Sequence, residues 1–102
     1  MILIDGCQYA NWSEKIFREM NAGGVSAVHV TICYHEDFRE TVENMADWNR
    51  MFERFPDLIV PGRKAEDVRR AHAAGRTAIV FGFQNCSPIE DDIGLVEICH
   101  QL

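Results

Sequence analysis

Three short clusters of thiol, amide and aromatic side chains follow apolar runs in this sequence, and these residue types could do chemistry. They are Cys7-Gln8-Tyr9, Cys33-Tyr34-His35 and Gln84-Asn85-Cys86. Thiolates and imidazoles are ligands that zinc and other thiophilic metals prefer. If the three clusters lie together, their thiols and the His35 imidazole would form such a metal site.

The same thiols have two other interpretations, which the sequence leaves open. Cysteine is among the most buried residue types and often packs as a small apolar side chain. Alternatively, Cys7 is a catalytic nucleophile, which would require a nearby base and a lowered pKa. The four cysteines are widely spaced and include no C-x-x-C pair, which favours reduced thiols over a disulfide framework.

Length and charge limit the classes of function. The 102 residues suffice for one domain with one modest core. A net charge of −6 argues against a nucleic-acid backbone or an anionic membrane surface as partner. No apolar run approaches the ~20 residues needed to span a bilayer, and no export signal precedes the first apolar run. We therefore expect a cytoplasmic protein.

Three apolar runs predict strands that position the three clusters. Ile2–Gly6 is expected to be buried on both faces, Val25–Cys33 is rich in β-branched residues, and Thr77–Phe83 is continuously apolar. Because alternate residues share a strand face, Asp5, Cys7 and Tyr9 would point the same way.

Four helices are predicted around these strands. The first begins near Ser13 and ends at Gly23-Gly24, and the second begins at an Asp37–Glu40 capping box. An apolar stripe along the second helix predicts a core face rather than a cofactor site; it comprises Phe38, Val42, Met45, Trp48, Phe52 and Phe55.

The other two helices follow the loop marked by Pro56 and Pro61-Gly62. One spans Lys64–Ala74 and ends at Gly75. The other begins at Ser87, with Pro88 in its first turn and Glu90 reaching back to the cap.

The resulting order, β-α-β-α-α-β-α, predicts an α/β fold with a parallel sheet. The carboxyl ends of parallel strands meet at one edge, where ligands bind in such folds. Three strands make an unusually small, open sheet. We therefore expect residues 1–102 to be a single partial domain, the N-terminal portion of a larger one.

Four segments together resemble the N-terminal part of the membrane (renal) dipeptidase family. They are Ile4-Asp5-Gly6, Gly23-Gly24-Val25, Asp67-Val68 with Ala71–Gly75, and Gly82-Phe83-Gln84-Asn85. The resemblance covers essentially the whole chain, although each motif is short. It implies an amidohydrolase-like (β/α)₈ barrel, of which this chain would supply the first three strands, since a complete barrel needs ~250 residues.

The resemblance also implies where a metal site would lie. The family offers H-x-D after the first strand and a bridging glutamate after the third, which hold two zinc ions that activate water. The positions in this sequence that correspond to the family's metal ligands are Cys7, Tyr9 and Gln84. A tyrosine and a neutral amide in place of carboxylates remove two negative charges, so zinc would be held by substituted ligands, and poorly at the second position.

The resemblance implies a hydrolase of diverged site, acting on a small peptide, amide or amino-acid derivative. We expect Cys7 as the candidate catalytic residue and Tyr9, Gln84 and Asn85 as substrate-binding residues. The alternative is a non-catalytic relative that binds small molecules or serves assembly and has lost the metals. The expected partners are a dipeptide-like substrate and the remainder of the barrel, with a homo-oligomer left open. Alone, these 102 residues are expected to be inactive.

Overall fold

The computed structural model describes all residues from Met1 to Leu102. Strands and helices alternate along the chain. In order they are β1 (Leu3–Gln8), α1 (Glu14–Ala22), β2 (Val25–Cys33), α2 (Phe38–Arg54), β3 (Ile59–Pro61), α3 (Ala65–Ala73), β4 (Thr77–Phe83), a 3₁₀ turn (Ser87–Ile89) and α4 (Leu95–Gln101).

All strand pairs are parallel, and the sheet has the order β1-β2-β4-β3. The predicted α/β class with a parallel sheet is therefore confirmed. The prediction of three strands missed β3, which spans only Ile59–Pro61 and pairs with the start of β4. A segment that short, ending at proline and glycine, has the composition of a loop.

The central pair, β2 and β4, divides the core into two parts. Val28, Val30 and Ile79 point to one face, where they pack with Phe17 of α1 and Trp48 of α2. Ala27 and Ala78, one residue earlier in each strand, point to the other face and pack with Ala71 of α3. We call these the α1/α2 face and the α3 face.

The helix signals in the first half of the chain behave as predicted. Ser13 caps α1, and the Asp37–Glu40 capping box is formed at the start of α2, where each side chain accepts the other residue's backbone N–H. Met45 and Trp48, in the apolar stripe of α2, are buried in the core. Gly75 ends α3 with a positive φ of 69°, a conformation that suits glycine.

The first strand differs from its prediction. Rather than being buried on both faces, β1 lies at the sheet edge, and Ile2, Leu3 and Ile4 are 43–58% exposed. Its alternation is also broken, because Cys7 has a φ of 57° and the register with β2 shifts between Asp5 and Gln8. The expectation that Asp5, Cys7 and Tyr9 share one face is therefore wrong; Asp5 instead accepts a hydrogen bond from the Gln8 amide.

The prediction that a helix starts at Ser87 is also wrong. Ser87–Ile89 forms only a 3₁₀ turn, which ends where Glu90 adopts a φ of 49°, and α4 begins at Leu95. The Ser87 hydroxyl donates to the Glu36 backbone carbonyl at 2.7 Å rather than capping a helix. A tertiary hydrogen bond thus replaces the predicted local one.

On the α3 face, His29 of β2 lies directly over Gly82 of β4. A Cβ built on Gly82 would stand 1.9 Å from His29 Nε2 and 2.0 Å from its Cε1. The imidazole therefore occupies the space that any larger residue at position 82 would need.

Replacing Gly82 with alanine should displace the His29 ring. We expect Gly82→Ala to destabilise the protein by about 1–3 kcal/mol, as overpacking does. In a His29→Ala background the same change should cost nothing, because the conflicting ring is gone. The measurement is a double-mutant cycle from urea unfolding, with Gly6→Ala as control because a Cβ there meets no atom within 4 Å. A coupling energy near zero would contradict the contact.

Candidate functional site

The three predicted clusters meet at the carboxyl edge of the sheet. Cys33 ends β2, while Tyr9 and Gln84 directly follow β1 and β4. The rings of Tyr9 and Tyr34 lie 6.5 Å apart, which joins the first cluster to the second. The Gln84 backbone N–H donates to the Cys33 carbonyl at 2.9 Å, which joins the second to the third.

Asn85 makes a side-chain link between the ends of β2 and β4. Its amide nitrogen donates to the Tyr34 carbonyl and lies 3.3 Å from His35 Nδ1. Its oxygen accepts the Ser87 backbone N–H at 2.8 Å. Asn85, predicted as a substrate-binding residue, thus has its amide engaged in holding two loops together.

The second cluster is followed by a carboxylate that the sequence analysis did not single out. Glu36 Oε2 accepts the backbone N–H groups of Tyr34 and His35, at 2.5 and 2.9 Å. These hydrogen bonds, that of Tyr34 first, hold the pKa of the Glu36 carboxyl below its ordinary value. The signal available in the sequence was an acidic residue shortly beyond a strand end.

The four thiols occupy different environments. Cys33 is fully buried, with its Sγ 3.2 Å from the Ser87 hydroxyl, whereas Cys7 and Cys86 are exposed. Cys99 is half-buried, and burial, followed by the neighbouring Cys33 thiol, raises its pKa above the ordinary value. For Cys33, the interpretation as a packing residue is the one that its burial supports.

No three His, Cys, Asp or Glu side chains lie close enough together to hold a metal ion. The predicted group of thiols with His35 is therefore not formed within this chain. At the positions carried over from the family resemblance, Cys7 is exposed in a bulge and Tyr9 and Gln84 are neutral. These residues do not fit a zinc centre, and the roles of Cys7, Tyr9, Gln84 and Asn85 stay predictions.

Two concave surfaces adjoin this edge. One is a cleft of about 200 Å³ between the ends of β1 and β2 and helix α2. Aromatic and acidic side chains line much of it: Tyr9, Trp12, Tyr34, Trp48, Glu36 and Asp47. We call it the tyrosine cleft.

The other is a largely apolar groove of about 640 Å³ along the outer edge of β4. The pairing of β3 with β4 ends at Pro61 and Ile79, so Val80–Phe83 have no strand on that side. The groove lies beside this unpaired stretch, between α2 and α4. We call it the β4-edge groove.

Comparison with known proteins shows a clear likeness to a solved structure. No protein-family model matches the chain, and no curated protein matches it. Among solved structures, an amidohydrolase from Pseudomonas aeruginosa is 36% identical and superposes with a TM-score of 0.89 over 98% of this chain. The match covers 31% of that protein, so this chain spans about a third of its length.

None of the helices is both long and apolar enough to cross a membrane.

Thiol reactivity should follow the burial described above. At pH 8 we expect iodoacetamide to modify Cys7 and Cys86 first, Cys99 more slowly, and Cys33 only after unfolding, because the exposed thiolate is the reacting species. Since the Cys99 pKa is raised, the rise of its reaction rate with pH should occur at higher pH in the folded protein than in denaturant. Peptide mass spectrometry at timed intervals measures this order; rapid labelling of Cys33 in the folded protein would contradict it.

The fold of this chain is that of an amidohydrolase-like protein, since its backbone superposes closely on the Pseudomonas aeruginosa amidohydrolase and more than a third of the residues are identical.

Proposed function

We propose that this chain is the first part of an amidohydrolase-type barrel whose complete form hydrolyses the amide bond of a small peptide or amino-acid derivative. The observation that carries the proposal is the 36% identity to an amidohydrolase over 98% of the chain. The resemblance of the motifs to the membrane dipeptidase family supports the choice of substrate class.

In this proposal the carboxyl edge of the sheet binds the substrate through neutral donors. The Tyr9 phenol and the Gln84 amide are exposed and make no side-chain hydrogen bond within the chain, so both are free to meet a ligand. Donors of this kind stabilise the oxyanion that forms when water attacks an amide carbonyl. The Cys7 thiol, two residues before Tyr9, is also exposed, and its catalytic role is part of the proposal.

A second candidate is a non-catalytic relative that binds a small molecule at the same edge. The observation in its favour is that no three metal-binding side chains lie together, while the residues at the expected ligand positions are a thiol, a phenol and an amide. Such a site would retain hydrogen-bond donors for binding without a metal ion to activate water.

Hydrolysis by the protein from its complete reading frame separates the two candidates. With a panel of dipeptides and N-acyl amino acids, we expect release of amine, and Gln84→Leu should lower kcat/KM by about 10²-fold if the amide stabilises the oxyanion. Gln101→Leu is the control, since that exposed amide bonds only Glu97 of its own helix.

Metal analysis and a cysteine variant complete this test. Saturable binding without turnover of any panel member would establish the second candidate instead. Two equivalents of zinc, with activity lost on chelation, would contradict a site of neutral donors. Unchanged activity of Cys7→Ser would remove that thiol from the proposal.

We also infer that the free edge at β1 and the unpaired part of β4 pair with further parallel strands of the barrel. At β1 the exposed residues Ile2–Ile4 are apolar, and at β4 the unpaired stretch Val80–Phe83 faces the β4-edge groove. Exposed apolar strand edges invite pairing. The amidohydrolase neighbour, about three times as long, is consistent with such additional strands.

Hydrogen exchange tests this pairing in the protein from its complete reading frame. We expect the backbone amides of Val80–Phe83 to exchange as slowly as those of Val28–Ile32, since β2 has a strand on both sides. Exchange as fast as in the exposed segment Glu90–Asp92 would show that the edge remains open.

A further inference from the structure

We propose that the tyrosine cleft binds an organic ammonium cation. This inference goes beyond the proposed hydrolysis and does not require it. It shares only Tyr9 with the proposed substrate site, and binding can be measured without turnover. It rests on the aromatic walls of the cleft, its carboxylates and its lack of basic side chains.

The walls of the cleft expose aromatic surface. Tyr9 is 74% exposed and Tyr34 46% exposed, and their rings are tilted by 45° at a centroid distance of 6.5 Å. Trp12 and Trp48 meet edge to face at 5.4 Å on the inner side, where Trp48 is only 4% exposed. The faces of such rings are negative and attract a cation within about 6 Å of the centroid.

Two carboxylates line the cleft beside this aromatic surface, and one of them has no ion-pair partner. Glu36 is fixed through Oε2 by two backbone N–H groups, and its Oε1 has no partner within the chain. Asp47 lies on the α2 side and shares Oδ1 with Arg50, in a pair whose side chains are 72% and 66% exposed. Because Arg50 offsets the charge of Asp47, Glu36 supplies most of the negative charge of the cleft.

The same lining disfavours other ligands. None of the eleven lining residues is Lys or Arg, which leaves nothing to pair with a phosphate or carboxylate. No third acidic, thiol or imidazole side chain completes a metal site. A volume of about 200 Å³ holds several times the ~30 Å³ share of one water molecule, which suits a small organic group.

Choline is the probe, and 3,3-dimethyl-1-butanol is its uncharged counterpart of nearly equal shape. Both tryptophans of the chain, Trp12 and Trp48, line the cleft, so intrinsic fluorescence reports on its occupancy. At pH 8 we expect a saturable change with choline and a Kd of roughly 1 mM. The uncharged alcohol should bind at least ~10-fold more weakly.

Variants separate the contribution of the rings from that of the charges. Tyr34→Leu and Glu36→Gln should each weaken choline binding by roughly 10-fold, whereas Tyr34→Phe should leave it nearly unchanged. The Glu36→Gln variant keeps an oxygen that can accept the two backbone N–H groups, and circular dichroism checks its fold. Glu43→Gln is the matched control, because it removes one charge from α2 outside the cleft.

Three results would overturn the inference. Equal binding of the uncharged alcohol would make the cleft a general apolar site. Displacement of choline by millimolar calcium would make it a metal site. The absence of any saturable change up to ~100 mM choline, well above the Kd expected for cation–π contacts with charge, would show that no such site exists.

Discussion

The parallel pairing of β2 with β4 is the constraint on which the rest of the structure depends. From Ala27 opposite Ala78 to Thr31 opposite Gly82, the two strands run in unbroken register. That register places the two small alanines side by side, which allows α3 to lie close to the sheet. Farther along the same face, Gly82 leaves room for the His29 imidazole directly over the strand. Helix α3 and the His29 ring thus both depend on small residues on one face of the sheet, Ala27 and Ala78 for the helix and Gly82 for the ring.

Local signals in the sequence were sufficient where the local interaction is also the final one. The Asp37–Glu40 capping box and the stop at Gly75 formed as predicted, because the hydrogen bonds and backbone angles involved lie within a few residues. The residues around Ser87 predict a helix start equally strongly, but the Ser87 hydroxyl donates to the Glu36 carbonyl, 51 residues away in sequence. That competition is invisible to a local pattern.

The location of the candidate site could be predicted from the sequence, but the directions of its side chains could not all be predicted. Position along the strands correctly places Tyr9, Tyr34 and Gln84 at one edge of the sheet, since parallel strands end on the same side. The alternation of residues along a strand does not predict where a side chain points at a bulge. Cys7, with its φ of 57°, lies at such a bulge. The prediction that Ile2–Gly6 is buried on both faces was wrong for a related reason. An apolar run does not reveal whether its strand is central or at an edge of the sheet.

The same bulge and strand ends account for the chemistry that the carboxyl edge offers. Parallel pairing leaves three loop starts side by side, and the backbone N–H groups of one of them hold the Glu36 carboxylate in its charged form. The neighbouring loop contributes the Tyr9 ring rather than a second carboxylate, 6.5 Å from that of Tyr34. Negative charge and aromatic surface therefore lie on the same side of β2, while the apolar groove lies at the far edge of β4. The proposed ligand site and the proposed pairing along β4 therefore concern different parts of the sheet.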